Sequence, residues 1–432
     1  MHPIIYQLSL RVFTPEGTIA AATKLLPHIA SLDVDIVYVC PFFVQENDEN
    51  REFWSVRQIA SETNNPKNPY KIADYFHVDE EYGTDEDLKR FVDEAHRLGL
   101  KVMFDLVYLH CGRQAVFISE HPDFVERNED GSVKVPDRWP FARLNFENPA
   151  LREYLISNML YLVTEYAVDG FRCDVGDSVP LDFWKEAFAR VRTVKPDLIA
   201  LNEGARPAHI AAFDLGYSFQ WHRVMRKILA EGASAATLAE FHALETEKYG
   251  KDIHKMARMP DNHDFASDVG LLRNEIVMTT DGVEALLVVA YTFEGFPFLW
   301  NGYELCDDAE NCMFSNRDYG RRSAMDWSKA FTENGKRRMR FLKKLHWFYH
   351  NCKAFSEGAL TFVPVSDPDA VIAYTKVYGE ERVLVVVNAK PRATSVTLEA
   401  PWDGGTVLLS HGARRTKGKI SLAPYGYTVL KL

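Results

Sequence analysis

The chain has 432 residues, of which 47% are hydrophobic and 26% charged, the balance of an ordinary globular protein with room for one large domain and one small one. Its formal net charge of −11 is spread along the sequence, and no basic stripe offers itself to phosphates, which argues against a nucleic-acid partner. The longest apolar runs, such as residues 285–290, fall well short of the roughly 20 residues that span a bilayer, so no membrane association is expected.

Residues 1–7 run straight into an apolar segment without a charged leader or a small-residue cleavage site, so no signal peptide is read there. The six cysteines, at 40, 111, 173, 306, 312 and 352, show neither a dense disulfide framework nor a paired metal knuckle. Free thiols in a cytoplasmic protein are expected, with Cys306 and Cys312 as the one pair that export would make available.

In chain order, residues 4–13 read as a first β-strand, rich in β-branched and aromatic side chains. Residues 18–32 read as a helix, and residues 35–40 as a second strand stopped by Pro41. The prolines and asparagines of residues 64–69 disfavour regular structure. Residues 85–98 form an amphipathic helix with Thr84 as its cap and Gly99 as its stop, and residues 101–107 form a third strand. Residues 111–145 carry turn signals without helical period and read as a long excursion from the end of that strand, a position where long excursions are functional.

Helix 149–166, strand 168–173, helix 181–194 and strand 198–202 follow, and the rhythm then loosens between 213 and 255. Residues 256–259 and 296–300 read as the seventh and eighth strands, with a helix at 283–291 between them and another at 337–350. Alternation of this kind is that of a parallel sheet with crossover helices, and eight units imply an α/β fold, a (β/α)₈ barrel over residues 1–355 with 111–145 as an insertion after strand three. From about residue 360 the pattern becomes short alternating strands, predicting a C-terminal antiparallel β-sandwich domain over 356–432.

Four carboxylates stand at the ends of predicted strands: Asp105, Asp174, Glu203 and Asp264. Asp174 and Glu203 are separated by about one helix plus one strand, which brings both to the same rim on neighbouring strands. Two acids about 5 to 5.5 Å apart are the equipment for breaking a glycosidic bond with retention, one attacking the sugar and the other protonating the leaving oxygen. The attacking acid has to stay ionised, and Arg172, two residues earlier on the same strand face, is the candidate charge for that. A third acid, Asp264, raises the donor's pKa by like-charge repulsion.

In these segments the chain resembles the α-amylase family of glycoside hydrolases, over essentially all of its length. Asp105-Leu106-Val107-Tyr108-Leu109-His110 resembles the family's first region and Gly170 to Asp174 the second. Leu201-Asn202-Glu203 resembles the third and Asn262-His263-Asp264 the fourth. The resemblance implies that Asp174 is the nucleophile, Glu203 the acid/base and Asp264 the transition-state stabiliser. It further implies that Tyr75, in Ala73-Asp74-Tyr75, stacks on the sugar ring, that His110 and His263 bond its hydroxyls, and that Arg172, ordered by Asp105, orients Asp174. Asp74 and Arg322, the latter opening Arg322-Ser323-Ala324-Met325-Asp326-Trp327, complete the implied substrate contacts.

Departures from the pattern carry their own implications. Leu109 and Arg143 stand where the family usually has calcium ligands, and a leucine and a cation remove the basis of a site that needs six to eight oxygens. No metal and no cofactor are therefore expected. Asp177-Ser178 replaces a Lys-His pair of endo-acting amylases, which weakens the case for long chains on the leaving side. The expected function is hydrolysis of α-glucosidic bonds in malto- or isomalto-oligosaccharides. Transglycosylation on the same substrates is the nearer alternative, and a noncatalytic glycan-binding or partner subunit the more distant one. Linkage, chain length and oligomeric state are not readable from the sequence.

Cys173 is expected to point away from the face carrying Arg172 and Asp174. Among Trp54, Trp139 and Trp300, Trp139 in the excursion is the candidate sugar platform.

Overall fold

The computed structural model of the chain describes residues 2–136, 139–267, 272–319, 324–399 and 402–432. Eight parallel strands form one sheet: β1 Ile5–Leu8, β2 Ile36–Val39, β3 Lys101–Leu106, β4 Gly170–Cys173, β5 Ile199–Asn202, β6 Leu215–Gly216, β7 Ala257–Arg258 and β8 Phe296–Trp300. Their order is β6-β5-β4-β3-β2-β1-β8-β7, and a parallel bridge between Gly216 and Met256 joins the two ends. This is a closed barrel, and closure leaves no edge strand.

Alternation along the strands sorts the side chains into two layers. Ile5, Ile36, Tyr38, Met103, Leu201 and Phe298 fill the barrel interior. Their neighbours, such as Val37, Val102, Phe171 and Ala200, pack outward against the helices. Asp105 and Arg172 are direct partners across β3 and β4, so both point inward, while Cys173 falls on the outer layer, as alternation predicts.

Several elements differ from their predicted extent. The first strand ends at Leu8, and Leu10–Phe13 is already helical. The helix expected over 18–32 is two short helices, Ile19–Thr23 and Leu26–Ala30, with Pro27 opening the second, because a proline fits the first turn of a helix but not its interior. The helix Asp85–Arg97 begins with Thr84 and Asp87 bonding reciprocally in a capping box. The helix Pro149–Tyr166 matches its prediction at both ends. The loosened rhythm after 213 has a physical source: β6 is only two residues long and leaves almost no period to read.

The largest correction concerns residues 64–69. Lys67–Val78 is a strand, paired antiparallel with Phe43–Asn47 in a ribbon that rises from the end of β2. The pairing carries repeated register shifts, which is how a strand containing Pro69 is accommodated. A second ribbon, His110–Cys111 with Ala142–Arg143, forms the root of the excursion after β3.

Beyond the last barrel helix, Glu333–Asn351, the chain forms β9 Ala359–Phe362, β10 Val371–Tyr378, β11 Glu381–Asn388, β12 Thr394–Val396, β13 Thr406–Thr416 and β14 Lys419–Lys431. These join into one antiparallel sheet in which the long β14 pairs with β11, β12 and β13. One face, with Ile372, Tyr374, Val385 and Val429, packs on the barrel, and the other, with Val371, Leu384 and Val386, closes a core of its own with Ile420 and Leu422. Tyr374 and Tyr425 secure the contact by hydrogen bonds to Thr292 Oγ1 at 2.6 Å and to the Leu229 carbonyl at 3.1 Å.

No helix among the described residues is long and apolar enough to cross a membrane.

Candidate active site

At the C-terminal ends of the strands, where the barrel opens, a cavity of about 550 Å³ is bounded by Asp174, Glu203, Asp264, His110, His263 and Tyr70. Asp174 directly follows β4 and Glu203 directly follows β5. His263 and Asp264 open the short helix His263–Ser267 after β7. The barrel thus delivers three acids from three different strands to one space.

Arg172 stands at the centre of the acids and is fully buried. Its Nη1 donates to Asp105 Oδ1 at 2.8 Å, to Asp105 Oδ2 at 2.9 Å and to Asp174 Oδ1 at 2.9 Å, while Nη2 lies 2.8 Å from Glu203 Oε2. One guanidinium therefore fixes both Asp174 and Glu203. Glu203 Oε2 also accepts the backbone N–H of Val175 at 2.6 Å. Val175 sits in the left-handed region at φ 42°, rare for a β-branched residue, and this strain aims its N–H.

Burial pushes the Asp174 carboxyl well above its ordinary value against the opposing pull of Arg172. Arg172 is the counter-charge anticipated from the sequence, but a single cation serves three acids and desolvation outweighs its pull. Burial likewise raises Glu203, to about 7, with Arg172 opposing and Asp264 adding the like-charge repulsion anticipated from the sequence. Both carboxyls are thus shifted toward the protonated form and titrate as a pair.

For Asp264, burial is outweighed by His263, Arg57 and Arg172, and its carboxyl lies below the ordinary range. His263 is itself lowered by burial to about 4 and is neutral at pH 7, so the two guanidiniums carry that effect. His110, lowered by burial to about 3, is also neutral, with Nε2 3.7 Å from Asp174 Oδ2.

A hydrogen-bond chain orients His263. Gln7 Nε2 donates to its Nδ1 at 2.6 Å, which leaves the ring proton on Nε2 for the Tyr70 oxygen at 2.7 Å, and the Tyr70 hydroxyl donates in turn to Asp105 Oδ2 at 3.0 Å. Tyr70 is stacked on His263 with ring centroids 5.5 Å apart and lines the cavity.

Tyr75 has no such place, and here the sequence expectation is corrected. Only 2% exposed, it donates to the carbonyls of Val107 at 2.9 Å and His110 at 3.1 Å and packs on Phe117 and Tyr108. Strand alternation on the ribbon turns Tyr75 into the core beneath the rim. Asp74 is corrected for a related reason: its carboxylate accepts the Phe76 N–H at 2.8 Å and is not among the residues lining the cavity. Asp105 is likewise no wall of the cavity but an anchor, tied to Arg172, Tyr70 and Tyr38. Arg322 lies outside the described residues.

Trp139 lines the cavity and is 39% exposed, whereas Trp54 and Trp300 are buried and donate to the Asp48 carbonyl at 2.7 Å and to Asn311 Oδ1 at 3.2 Å. Arg57, which sequence reasoning passed over, reaches the cavity from the β2 excursion and donates to Asp264 Oδ1. Asp177 was noted only for what it replaces. Its carboxylate accepts from Asn202 Nδ2 at 2.9 Å, Ala205 N at 2.8 Å and Arg206 N at 3.0 Å, so it buttresses the loop that follows Glu203.

At the expected calcium position, Leu109 presents hydrocarbon and Arg143 a guanidinium 3.8 Å from Glu126, and neither supplies oxygen. Among the described residues, no group of three or more His, Cys, Asp or Glu side chains is arranged to hold a metal ion. The residues present do not fit calcium there. All six cysteines are buried, and no disulfide is formed among the described residues.

Residues 11–131 match the catalytic-domain model of the α-amylases, and residues 360–429 match the C-terminal-domain model of the maltogenic amylases. Both matched stretches make the chain similar to the α-amylases. It is 27% identical over 383 residues to a maltogenic α-amylase of Bacillus acidopullulyticus, covering 79% of this chain and 62% of that one. To a cyclomaltodextrinase of Geobacillus thermopakistaniensis it is 24% identical over 446 residues, 96% of this chain and 70% of the other. The chain thus spans 62% to 70% of the length of these relatives. An α-amylase from Lactobacillus plantarum shares the fold, with a TM-score of 0.81 at 22% identity, covering 100% of this chain and 98% of that one. So does a maltogenic α-amylase from Thermotoga neapolitana, with a TM-score of 0.80 at 23% identity and the same coverage.

A second chamber, of about 710 Å³, adjoins the first. Val175, Glu203, Phe219 and Arg223 border both, and the helix Thr237–Tyr249 forms much of its far wall.

Proposed function

We propose that this protein is an α-amylase-family retaining hydrolase of α-glucosidic bonds in malto- or isomalto-oligosaccharides. The observation that carries the reading is the sharing of Arg172 by Asp174 and Glu203 at the border of one cavity, with Asp264 on the same wall. Asp174 attacks the anomeric carbon while Glu203 gives its proton to the departing oxygen, leaving the sugar esterified to Asp174. Glu203 then takes a proton from water, whose oxygen displaces Asp174. Asp264, ionised, accepts from the ring hydroxyls, and Tyr70 and Trp139 offer aromatic faces to the sugar.

The names of the relatives, maltogenic amylase and cyclomaltodextrinase, favour water over a sugar hydroxyl as the final acceptor. The chamber beside Glu203 supports substrates with a sizeable leaving part, since the proton donor stands on the leaving side. No cofactor enters this reading. A cytoplasmic setting accords with six buried cysteines that form no disulfide among the described residues and with a Bacillus subtilis relative named intracellular maltogenic amylase. No nucleic acid or membrane partner is part of the proposal.

The test is turnover of maltotriose, isomaltotriose and panose by the wild type and by Asp174→Asn. Release of the α-anomer by the wild type and its loss in the variant are expected, and equal turnover by both overturns the reading.

A further inference from the structure

Tyr70 and Arg57 reach the cavity from no barrel strand: both ride on the excursion between β2 and β3. Tyr70 holds His263, and Arg57 holds the next residue, Asp264. We propose that Arg57 is a positioning residue of the reaction, aiming the Asp264 carboxylate at the hydroxyls of the sugar being cleaved. This assignment rests on the hydrolase reading above.

The geometry carries it in three steps. Arg57 provides the one side-chain hydrogen bond to the Asp264 carboxylate among the described residues, and it goes to Oδ1, leaving Oδ2 for a sugar hydroxyl. Arg172, the cation within the barrel, is already engaged by Asp105, Asp174 and Glu203 and makes no hydrogen bond to Asp264. A third acid in the same cavity therefore requires a second guanidinium, and a planar donor fork suits a carboxylate that must hold one orientation.

The segment carrying Arg57 is braced at both ends. Arg57 lies in the short helix Val56–Ala60, which Ser55 caps through Gln58 N at 3.2 Å. Gln58 Nε2 donates to the Asn65 carbonyl at 2.7 Å, and Asn65 Nδ2 donates to the carbonyl of Phe314, beyond β8, at 3.0 Å. At the root, the fully buried Lys71 pairs with Glu46 at 2.8 Å, and Glu46 Oε2 accepts Gln114 N of the neighbouring excursion at 2.8 Å. Such bracing turns a rim segment into a fixed support, which a positioning group needs.

The experiment compares wild type, Arg57→Met and Arg57→Lys on maltotriose and isomaltotriose, with kcat and KM measured across pH. In Arg57→Met, kcat is expected to fall between about tenfold and a hundredfold, with KM moving less than kcat and part of the rate returning in Arg57→Lys. The acid limb of the profile is expected to move to higher pH, because Asp264 then faces His263, Arg172, Asp174 and Glu203 without its nearest cation. Arg57 is 31% exposed at the rim, so the thermal midpoint is expected to stay put. Wild-type turnover with an unchanged kcat in Arg57→Met, or an equal loss in Met and Lys variants with no shift of the acid limb, overturns the assignment alone. Absence of wild-type turnover on both sugars overturns the hydrolase reading and this assignment with it.

Discussion

The backbone N–H of Val175 points at Glu203 Oε2 from 2.6 Å, so the residue after one acid holds the other in place across two strands. The hold depends on a main-chain conformation at φ 42° that valine adopts at a cost. Val175→Gly keeps the N–H and accepts this φ freely. It should retain kcat within a few-fold and change unfolding free energy by no more than about 1 kcal/mol, the strain relieved offsetting the added chain entropy. Kinetics and denaturant melts on the variant check both.

Among the described residues, Arg172 is the only counter-charge that contacts Asp105, Asp174 and Glu203 together; it, Asp105 and Asp174 are buried, and Glu203 is nearly so. Removing it leaves carboxylates uncompensated, so Arg172→Leu should lose about 3 to 5 kcal/mol of stability along with its activity. Urea unfolding monitored by tryptophan fluorescence measures the first. A variant as stable as the wild type would mean that the acids neutralise themselves by taking up protons.

Tyr70 and Tyr75 separate a cavity wall from a core residue. Tyr70→Ala should lower kcat/KM with little change in thermal midpoint. Tyr75→Ala, which empties a fully packed site under Phe117 and Tyr108, should cost about 3 to 5 kcal/mol by analogy with other buried aromatic truncations. Measuring both quantities on both variants tells the roles apart.

Glu203 must hold a proton to release the leaving group, and burial raises its carboxyl to about 7. The sign follows directly: below about 7 the donor is protonated and competent, and as pH rises through that value kcat/KM should decline. In Asp264→Asn the like-charge repulsion is gone, so the alkaline limb should move to lower pH. Initial rates on a chromogenic α-maltoside over pH 4 to 9 (roughly the span that brackets these carboxyls) show the limb and its shift.

With a leucine and an arginine at the family's calcium positions, prolonged dialysis against a chelator should leave both the rate and the thermal midpoint unchanged. Added calcium should not raise the midpoint. A chelator-sensitive protein would point to an ion bound elsewhere.

The sequence by itself determined the barrel and three of its acids, because hydrophobic period and strand-end carboxylates are local properties. Asp174 directly after β4 and Glu203 directly after β5 follow from chain order alone, as does the burial of Cys173 on the opposite face. The helix Pro149–Tyr166 is legible at both ends because its cap and its proline are neighbours in the chain. Only the tertiary structure decided which tyrosine faces the cavity, since Tyr70 and Tyr75 share one irregular strand whose register is set by its partner Phe43–Asn47 and not by its own pattern. It alone also brought Arg57 to Asp264, residues with no local signal linking them, through an excursion tied down at Phe314 and Gln114. The raised carboxyl of Asp174 belongs to the same class: Arg172 two residues away pulls it down, but burial, a property of the whole molecule, outweighs that pull.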